Sequence, residues 1–196
     1  MYKRHIKRIS DVMICIIALP FWFLLCVIII PLIYFEDRGN PFYNALRLGK
    51  NGKLYKMYKF RSMKVNAEDI RNEDGTTYNS EEDLRLTRIG KFIRKTSIDE
   101  TPQLLNVLKG DMSLIGPRPD LPDGIKKLTS FQKQKLDVLP GITGYSQAYY
   151  RNNVSLEDRY KQDVYYVKHI SFLLDIKIFV KTVTTILFHK NIYRNE

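Results

Sequence analysis

The apolar and polar positions of this 196-residue chain fall into stretches of different period. From Val12 to Phe35, "VMICIIALPFWFLLCVIIIPLIYF", about 24 residues pass without a charge, enough for a membrane helix. Leu54 to Phe60 alternates as a strand does, and Asn51-Gly52 suits a tight turn with positive φ. "ALRLGKNGKLYKMYKFRSM" therefore reads as a β-hairpin. Leu84 to Lys95 reads as a helix carrying Arg85, Arg88, Lys91 and Arg94. Ser155 and Asp158 form a capping box at the start of "SLEDRYKQDVYYVKHI". In the next segment, a rotation of about 100° per residue puts Phe172, Leu173, Ile176, Phe179, Val180, Val183, Ile186 and Leu187 on one face. Asp175, Lys177, Lys181, Thr182, Thr184 and Thr185 fall largely opposite. Such a helix either lies in a membrane interface or docks on a protein core. Together these periods predict an α+β, mostly helical fold with an N-terminal membrane helix, a short hairpin and amphipathic helices near the end.

The flanks of the apolar run bear on its topology. Lys3, Arg4, Lys7 and Arg8 precede it; Arg38, Arg47, Lys50, Lys53, Lys56, Lys59 and Arg61 follow, against only Glu36 and Asp37. A cleaved signal peptide needs a shorter apolar core and a small-x-small site, so the segment is expected to be retained. A simple span would place one basic flank outside, against the positive-inside preference. A helix that enters, bends at Pro20 and returns keeps both flanks on one face. On pattern alone, span and re-entry both stand.

Charge sharpens the picture. The net charge of +11 calls for an anionic partner such as nucleic acid, acidic lipid or a phosphorylated metabolite. The polar segment Glu68 to Asp83, read as a mobile surface loop, holds seven of the 21 acids but only Arg71 of the 32 basic residues. The rest is therefore more basic than the total suggests. Cys15 and Cys26 lie in the apolar run, and His5, His169 and His189 are scattered, so no disulfide framework or zinc site is indicated. The chain has no Walker loop, G-x-G-x-x-G or G-x-S-x-G.

Candidate chemistry gathers in "TSIDETPQLLNVLKGDMSLIGPRP", Thr96 to Pro119. Ser97 to Glu100 fits a capping box, but that start puts Pro102 inside the helix. Thr101 as N-cap, Pro102 at the first helical position and Gly110 at the end fit better. Asp99 and Glu100 then stand at the positive end of a helix, which favours ionised carboxylates and attracts phosphate. Gly116-Pro117-Arg118-Pro119 is a stiffened turn holding one guanidinium suited to bidentate phosphate binding. These parts suit either a capped surface helix or a metal and diphosphate site.

The chain resembles the small monotopic phosphoglycosyl transferases of the bacterial sugar transferase family, the undecaprenyl-phosphate sugar phosphotransferases. The likeness is carried, in order, by "KRISD" with the apolar run, "YKFRSM", "LTRIGKFIRKTSIDETPQLLNVLKGDMSLIGPRP" and "LPGITGYSQAYYRN". It implies transfer of a sugar phosphate from a UDP-sugar to polyprenol phosphate, releasing UMP. It implies Asp99 and Glu100 as catalytic dyad, with Asp99 the nucleophile of a covalent phosphosugar intermediate, and Mg2+ as cofactor with Asp99 as ligand. It also implies Arg118 as phosphate ligand and a re-entrant helix broken at Pro20. Lys59, Arg61, Arg88, Arg94 and Arg151 are further candidate phosphate or nucleotide contacts. The expected layout is a re-entrant segment at 1–37 and a cytosolic catalytic domain at 38–196. The expected location is the cytoplasmic face of the bacterial inner membrane. Expected partners are the UDP-sugar, undecaprenyl phosphate, membrane lipids and downstream glycosyltransferases, with no nucleic acid. The chain departs from the family at Ala45, where a glutamine is common, at Leu19 before Pro20, where serine is common, and at Tyr145, where tryptophan is common.

The competing reading is a non-enzymatic, membrane-tethered basic protein that holds nucleic acid or anionic lipid. It accounts for the charge and the apolar run but gives no reason for the dyad and the G-P-R-P turn. A regulatory catalytic-domain relative is disfavoured by the intact dyad. The sugar stays open among galactose, N-acetylgalactosamine and a modified amino sugar.

Overall fold

The computed structural model describes residues 2–72, 78, 80, 82–150 and 154–188; Arg151 and His189 lie outside them. Seven α-helices are described: α1 (Lys7–Asp37), α2 (Arg88–Lys95), α3 (Gln103–Lys109), α4 (Ser130–Lys133), α5 (Tyr145–Tyr149), α6 (Leu156–His169) and α7 (Phe172–Leu187). Strands β1 (Phe42–Leu48) and β2 (Leu54–Phe60) pair antiparallel, with Phe42 opposite Phe60 and Leu48 opposite Leu54. Asn51 and Gly52 both take positive φ at the turn, as the sequence predicts, although the connection is longer than a two-residue hairpin. Strands β3 (Ser113–Ile115) and β4 (Gly141–Thr143) form a short parallel pair absent from the sequence expectation. Three-residue strands carry too little alternation to be legible.

Helix α1 is continuous through Pro20 and Pro31. The break expected at Pro20 is therefore not an interruption of helical structure. One face of α1 enters the protein: Cys15 packs with Ala45, Tyr55, Met57, Val107 and Met112, while Cys26, Ile29 and Ile33 pack with Phe60 and Ile93. The other face, including Ile17, Phe21, Phe23, Leu24, Val27, Ile28 and Phe35, is exposed.

Both ends of α1 are tied to the same body. Near the start, Arg8 donates to the carbonyls of Val107 (2.6 Å) and Leu108 (3.2 Å), filling acceptors that the end of α3 leaves open. The Ser113 hydroxyl donates to Asp11 at 2.6 Å. Near the end, Glu36 accepts from the backbone amides of Arg88 and Ile89, capping α2. Asp37 forms a bidentate pair with Arg61.

Helix α2 starts at Arg88, later than the pattern suggests, because Thr87 takes an extended conformation and its hydroxyl accepts from the Gly90 amide at 2.8 Å. Arg85 stays outside the helix, bonded to Asp83 and to the carbonyls of Glu68 and Tyr78. Asp83 itself is buried, so the described end of the acidic segment is anchored rather than free. Helix α6 begins at the Ser155 cap as expected, its hydroxyl accepting from the Asp158 amide at 3.1 Å.

Helix α7 settles which of its faces meets protein. Asp175, Ile178 and Thr185 are buried, whereas Phe172, Leu173, Ile176, Phe179, Val180 and Val183 are exposed. Asp175 accepts from Tyr2, Lys7 and Tyr166, and Thr182 bonds Thr143. A helix that turns Asp175 and Thr185 inward and most of its apolar stripe outward is built for an apolar surrounding. The exposed side of α1 is apolar in the same way.

Candidate active site

The acidic pair sits where α2 turns into α3. Ser97 takes a left-handed conformation (φ 58°), which reverses the chain, and Ile98 to Glu100 form one 3-10 turn. Thr101 and Pro102 are both helical and lead directly into α3. Thr101 is therefore not the extended N-cap expected from sequence; its hydroxyl donates back to the Ile98 carbonyl at 2.8 Å. The amides of Glu100, Thr101, Leu104 and Leu105 are all spent on backbone carbonyls three residues earlier. The dyad lies within this turn, and its positive surroundings come from Lys59 and Arg94, with a smaller share from the Asp99 backbone amide.

Lys59, near the end of β2, provides the closest one. Its ammonium is 2.7 Å from a Glu100 carboxylate oxygen and 4.0 Å from Asp99. The placement of β2 against α3 rests on Asn106, which is fully buried. Asn106 accepts from the Tyr58 amide at 2.9 Å and donates to the Lys56 carbonyl at 2.7 Å, acting as a short surrogate strand. An amide side chain is the neutral group that serves both roles at once.

Asp99 is buried and Glu100 half-buried. Burial pushes the Asp99 carboxyl up to about 6; Lys59 and Arg94 oppose the rise and Glu100 adds to it. At neutral pH it is ionised yet poorly solvated, the condition of a reactive carboxylate.

Arg118 is held by interlocked glycines. The Gly116 amide donates to the Thr143 carbonyl at 2.9 Å, and the Gly141 amide to the Pro117 carbonyl at 3.0 Å. A Cβ on Gly141 would stand 2.1 Å from the Gly116 nitrogen, and one on Gly144 would stand 2.0 Å from the Gly116 oxygen. Backbones this close require glycine. The "GPRP" and "PGITG" stretches thus form one rigid mount for the Arg118 guanidinium.

Arg118 faces a cavity of about 770 Å3 whose lining includes Arg47, Lys59, Glu100, Asp120, Arg159 and Tyr160. Burial lowers the pKa of Arg47 and of Arg159, and the Arg118 charge lowers both further. Among the described residues no carboxylate pairs with Arg47, Arg118 or Arg159. Asp163 and Asp120 act on Arg159 from further off, so three half-buried guanidiniums with no directly paired carboxylate form a site for a polyanion. Arg118 was legible in the sequence, whereas Arg47 and Arg159 reach this cavity from strand β1 and helix α6. The Arg-Tyr sequence on the inner side of α6 was the available signal.

A second cavity, of about 980 Å3, shares Arg47, Lys59, Glu100 and Arg118 with the first and adds Asp99, Arg94, Ser97 and Thr101. Its far wall is apolar and includes Ile14 of α1 and Phe179, Val183 and Ile186 of α7. One cavity is thus cationic and the other leads from the dyad to the exposed apolar faces, with Lys59 and Glu100 on both.

The remaining expected contacts separate. Arg94 joins the dyad's cavity and its charge acts on Asp99. Arg61 borders that cavity, but its guanidinium is bound to Asp37 and to the carbonyls of Asn40 and Met63, so it is a structural tie and not a free phosphate contact. Arg88 is exposed and lines neither cavity, because the helix start turns it outward. Arg151 lies outside the described residues, and Pro20 is on the exposed side of α1. Among the described residues no cluster of three or more His, Cys, Asp or Glu is arranged to hold a metal.

Comparison with known proteins adds an independent line. The family model for bacterial sugar transferases matches residues 2–189. The galactosyl transferase CpsE of Streptococcus agalactiae is 43% identical over 189 residues, covering 92% of this chain and 42% of that protein. The uncharacterized sugar transferase EpsL of Bacillus subtilis is 41% identical, with 97% and 92% covered. An Aeromonas hydrophila UDP-N-acetylgalactosamine-undecaprenyl-phosphate N-acetylgalactosaminephosphotransferase is 39% identical, with 93% and 44% covered. The chain thus spans less than half of two of these relatives and nearly all of EpsL.

Proposed function

The chain belongs to the bacterial sugar transferase family, and from that premise we propose that it is a phosphoglycosyl transferase. It moves a sugar phosphate from a UDP-sugar to undecaprenyl phosphate and releases UMP. The observation that carries this reading is the position of Asp99: a buried carboxylate on a cavity that carries Arg47 and Arg118 and opens between the apolar faces of α1 and α7, joined through Lys59 and Glu100 to the three-arginine cavity. A water-soluble diphosphate and a lipid phosphate can meet only at such a boundary.

In this reading Arg118, Arg47 and Arg159 neutralise the diphosphate of the donor, which otherwise repels an attacking carboxylate. The Asp99 oxygen attacks the sugar-bearing phosphorus. As that bond forms, the bond to the bridging oxygen breaks and UMP leaves with its electron pair. A phosphate oxygen of the lipid acceptor then attacks the same phosphorus and expels the Asp99 carboxylate, giving the polyprenol diphosphosugar. Lys59 stays against Glu100, so the second carboxylate adds little repulsion to the approach.

The donor set suits a magnesium ion. Asp99 and Glu100 are two neighbouring carboxylates on the cavity that Arg47 and Arg118 also line, and magnesium commonly takes one or two carboxylates with phosphate oxygens and water. Bound there, it would further neutralise the diphosphate.

The body and both ends of α1 lie, in this reading, on the cytoplasmic face. This is supported by the polar ties at Arg8 and Asp11 and at Glu36 and Asp37, which hold both helix ends to one body. At 31 residues α1 is about 46 Å long, more than a hydrocarbon core of about 30 Å, so a shallow or bent course accommodates it.

The test is UMP release from a panel of UDP-sugars with and without undecaprenyl phosphate. Release from at least one sugar, sustained only with the lipid acceptor, is expected. No release from any sugar, together with salt-sensitive binding of nucleic acid or anionic vesicles, would overturn the enzyme reading in favour of a tethered basic protein.

A further inference from the structure

Beside the arginine cavity lies a charge group that the transfer chemistry leaves unused. Lys135, in the 3-10 segment Gln134–Asp137, is 2% exposed. Its ammonium is 3.0 Å from Asp120 and 2.8 Å from Asp163. At these distances one ammonium is ion-paired with both carboxylates. Asp163 also accepts from the Ser146 hydroxyl at 3.1 Å, and the ammonium faces the Tyr160 ring at 4.9 Å.

Burying three charges is a poor route to stability, because desolvation offsets most of the attraction. Their connections point to a different use. Asp120 follows Arg118 by two residues, and its backbone carbonyl accepts from the Leu48 amide at 2.9 Å, next to Arg47 on β1. Asp163 follows Arg159 by four residues and so shares its side of α6. One ammonium therefore joins the turn and the helix that carry two of the cavity arginines, and through Asp120 it reaches the strand that carries the third. The Arg118 charge acts on both Arg47 and Arg159, and the Lys135 pairs hold the helix that carries Arg159 to the Arg118 turn against that repulsion.

We propose that Lys135 is a positioning residue that keeps Arg47, Arg118 and Arg159 convergent on one diphosphate against their mutual repulsion. The proposal rests on the reading of this cavity as the nucleotide-sugar site.

The test uses the full chain in detergent, with inorganic pyrophosphate as the binding probe. Wild type is compared with Lys135→Met and with the triple variant Asp120→Asn/Lys135→Met/Asp163→Asn, which removes the buried charge at nearly constant volume. Pyrophosphate Kd rises between about tenfold and a hundredfold in both variants, the usual cost of misplaced binding groups. For the UDP-sugar, KM rises more than kcat falls. The triple variant recovers the thermal midpoint of wild type but not its affinity, which separates positioning from stability. If Lys135→Met does not fold, the triple variant decides alone. Wild-type pyrophosphate affinity in the triple variant, or no pyrophosphate binding by the wild type, would overturn the proposal. If pyrophosphate behaves as expected but no UDP-sugar yields UMP, the transferase reading fails and the positioning role stands.

Discussion

Replacing Asp99 by Asn should separate activity from stability in opposite directions. The carboxyl rises from its ordinary value of 3.8 to about 6 in the fold, chiefly through burial. Its ionised form is therefore disfavoured by folding. At about 1.4 kcal/mol per pKa unit, this costs the wild type about 3 kcal/mol above pH 6. The sign follows from linkage. The folded state binds the proton more tightly than the unfolded state, so this penalty is absent below about pH 4 and grows as pH rises through 6. By the same relation about half of it is present at pH 5. Asparagine keeps the shape and carries no charge, so Asp99→Asn should match the wild type only below about pH 4, exceed it by about half the full gain at pH 5 and by all of it at pH 8. For a chain of this length the gain is about 6–12 °C in unfolding midpoint. UMP release should meanwhile fall to background, because an amide is not a nucleophile at phosphorus. The assay is thermal unfolding in detergent at pH 5 and pH 8, paired with UMP release. Near-wild-type turnover would refute the nucleophile assignment. A loss of stability that does not depend on pH would mean that Asp99 serves mainly to cap or brace the turn.

Three further outcomes follow from the same geometry. UMP release should fall about tenfold per pH unit on the acid side of about 6, where Asp99 is protonated; Lys59→Met removes a cation that holds this value down, so the acid limb should move to higher pH, and an unmoved limb would mean that another group titrates. Arg118→Lys should lose about tenfold to a hundredfold in kcat/KM for the UDP-sugar at unchanged net charge, since a point charge does not reproduce a bidentate fork, and wild-type kinetics would reduce Arg118 to a general electrostatic contributor. Val180→Asp on the exposed face of α7 should weaken partition into vesicles while leaving the unfolding midpoint in detergent within about 1–2 °C; a large drop in midpoint would mean that this face packs on protein.

The dyad, the Arg118 turn, the hairpin and the amphipathic helices were legible in the sequence because each is a local matter. A turn needs its Asn-Gly, a capped helix its serine, and an apolar face its period, all within one or two turns of chain. Tertiary structure decided what those elements do to one another. It spent the Arg61 guanidinium on Asp37, turned Arg88 outward and brought Arg47 and Arg159 to Arg118. The period of α7 showed that it was amphipathic, but only packing put Asp175, Ile178 and Thr185 inward and the apolar stripe outward. Thr101 took helical angles ahead of α3 although proline follows it, because the 3-10 turn gave its amide and hydroxyl a partner at Ile98. Asn106 and Lys135 looked like ordinary polar residues; their roles arise from partners such as Tyr58 and Asp163, far away in sequence. Burial likewise raised the Asp99 carboxyl above its ordinary range, since the assembled body removes its water.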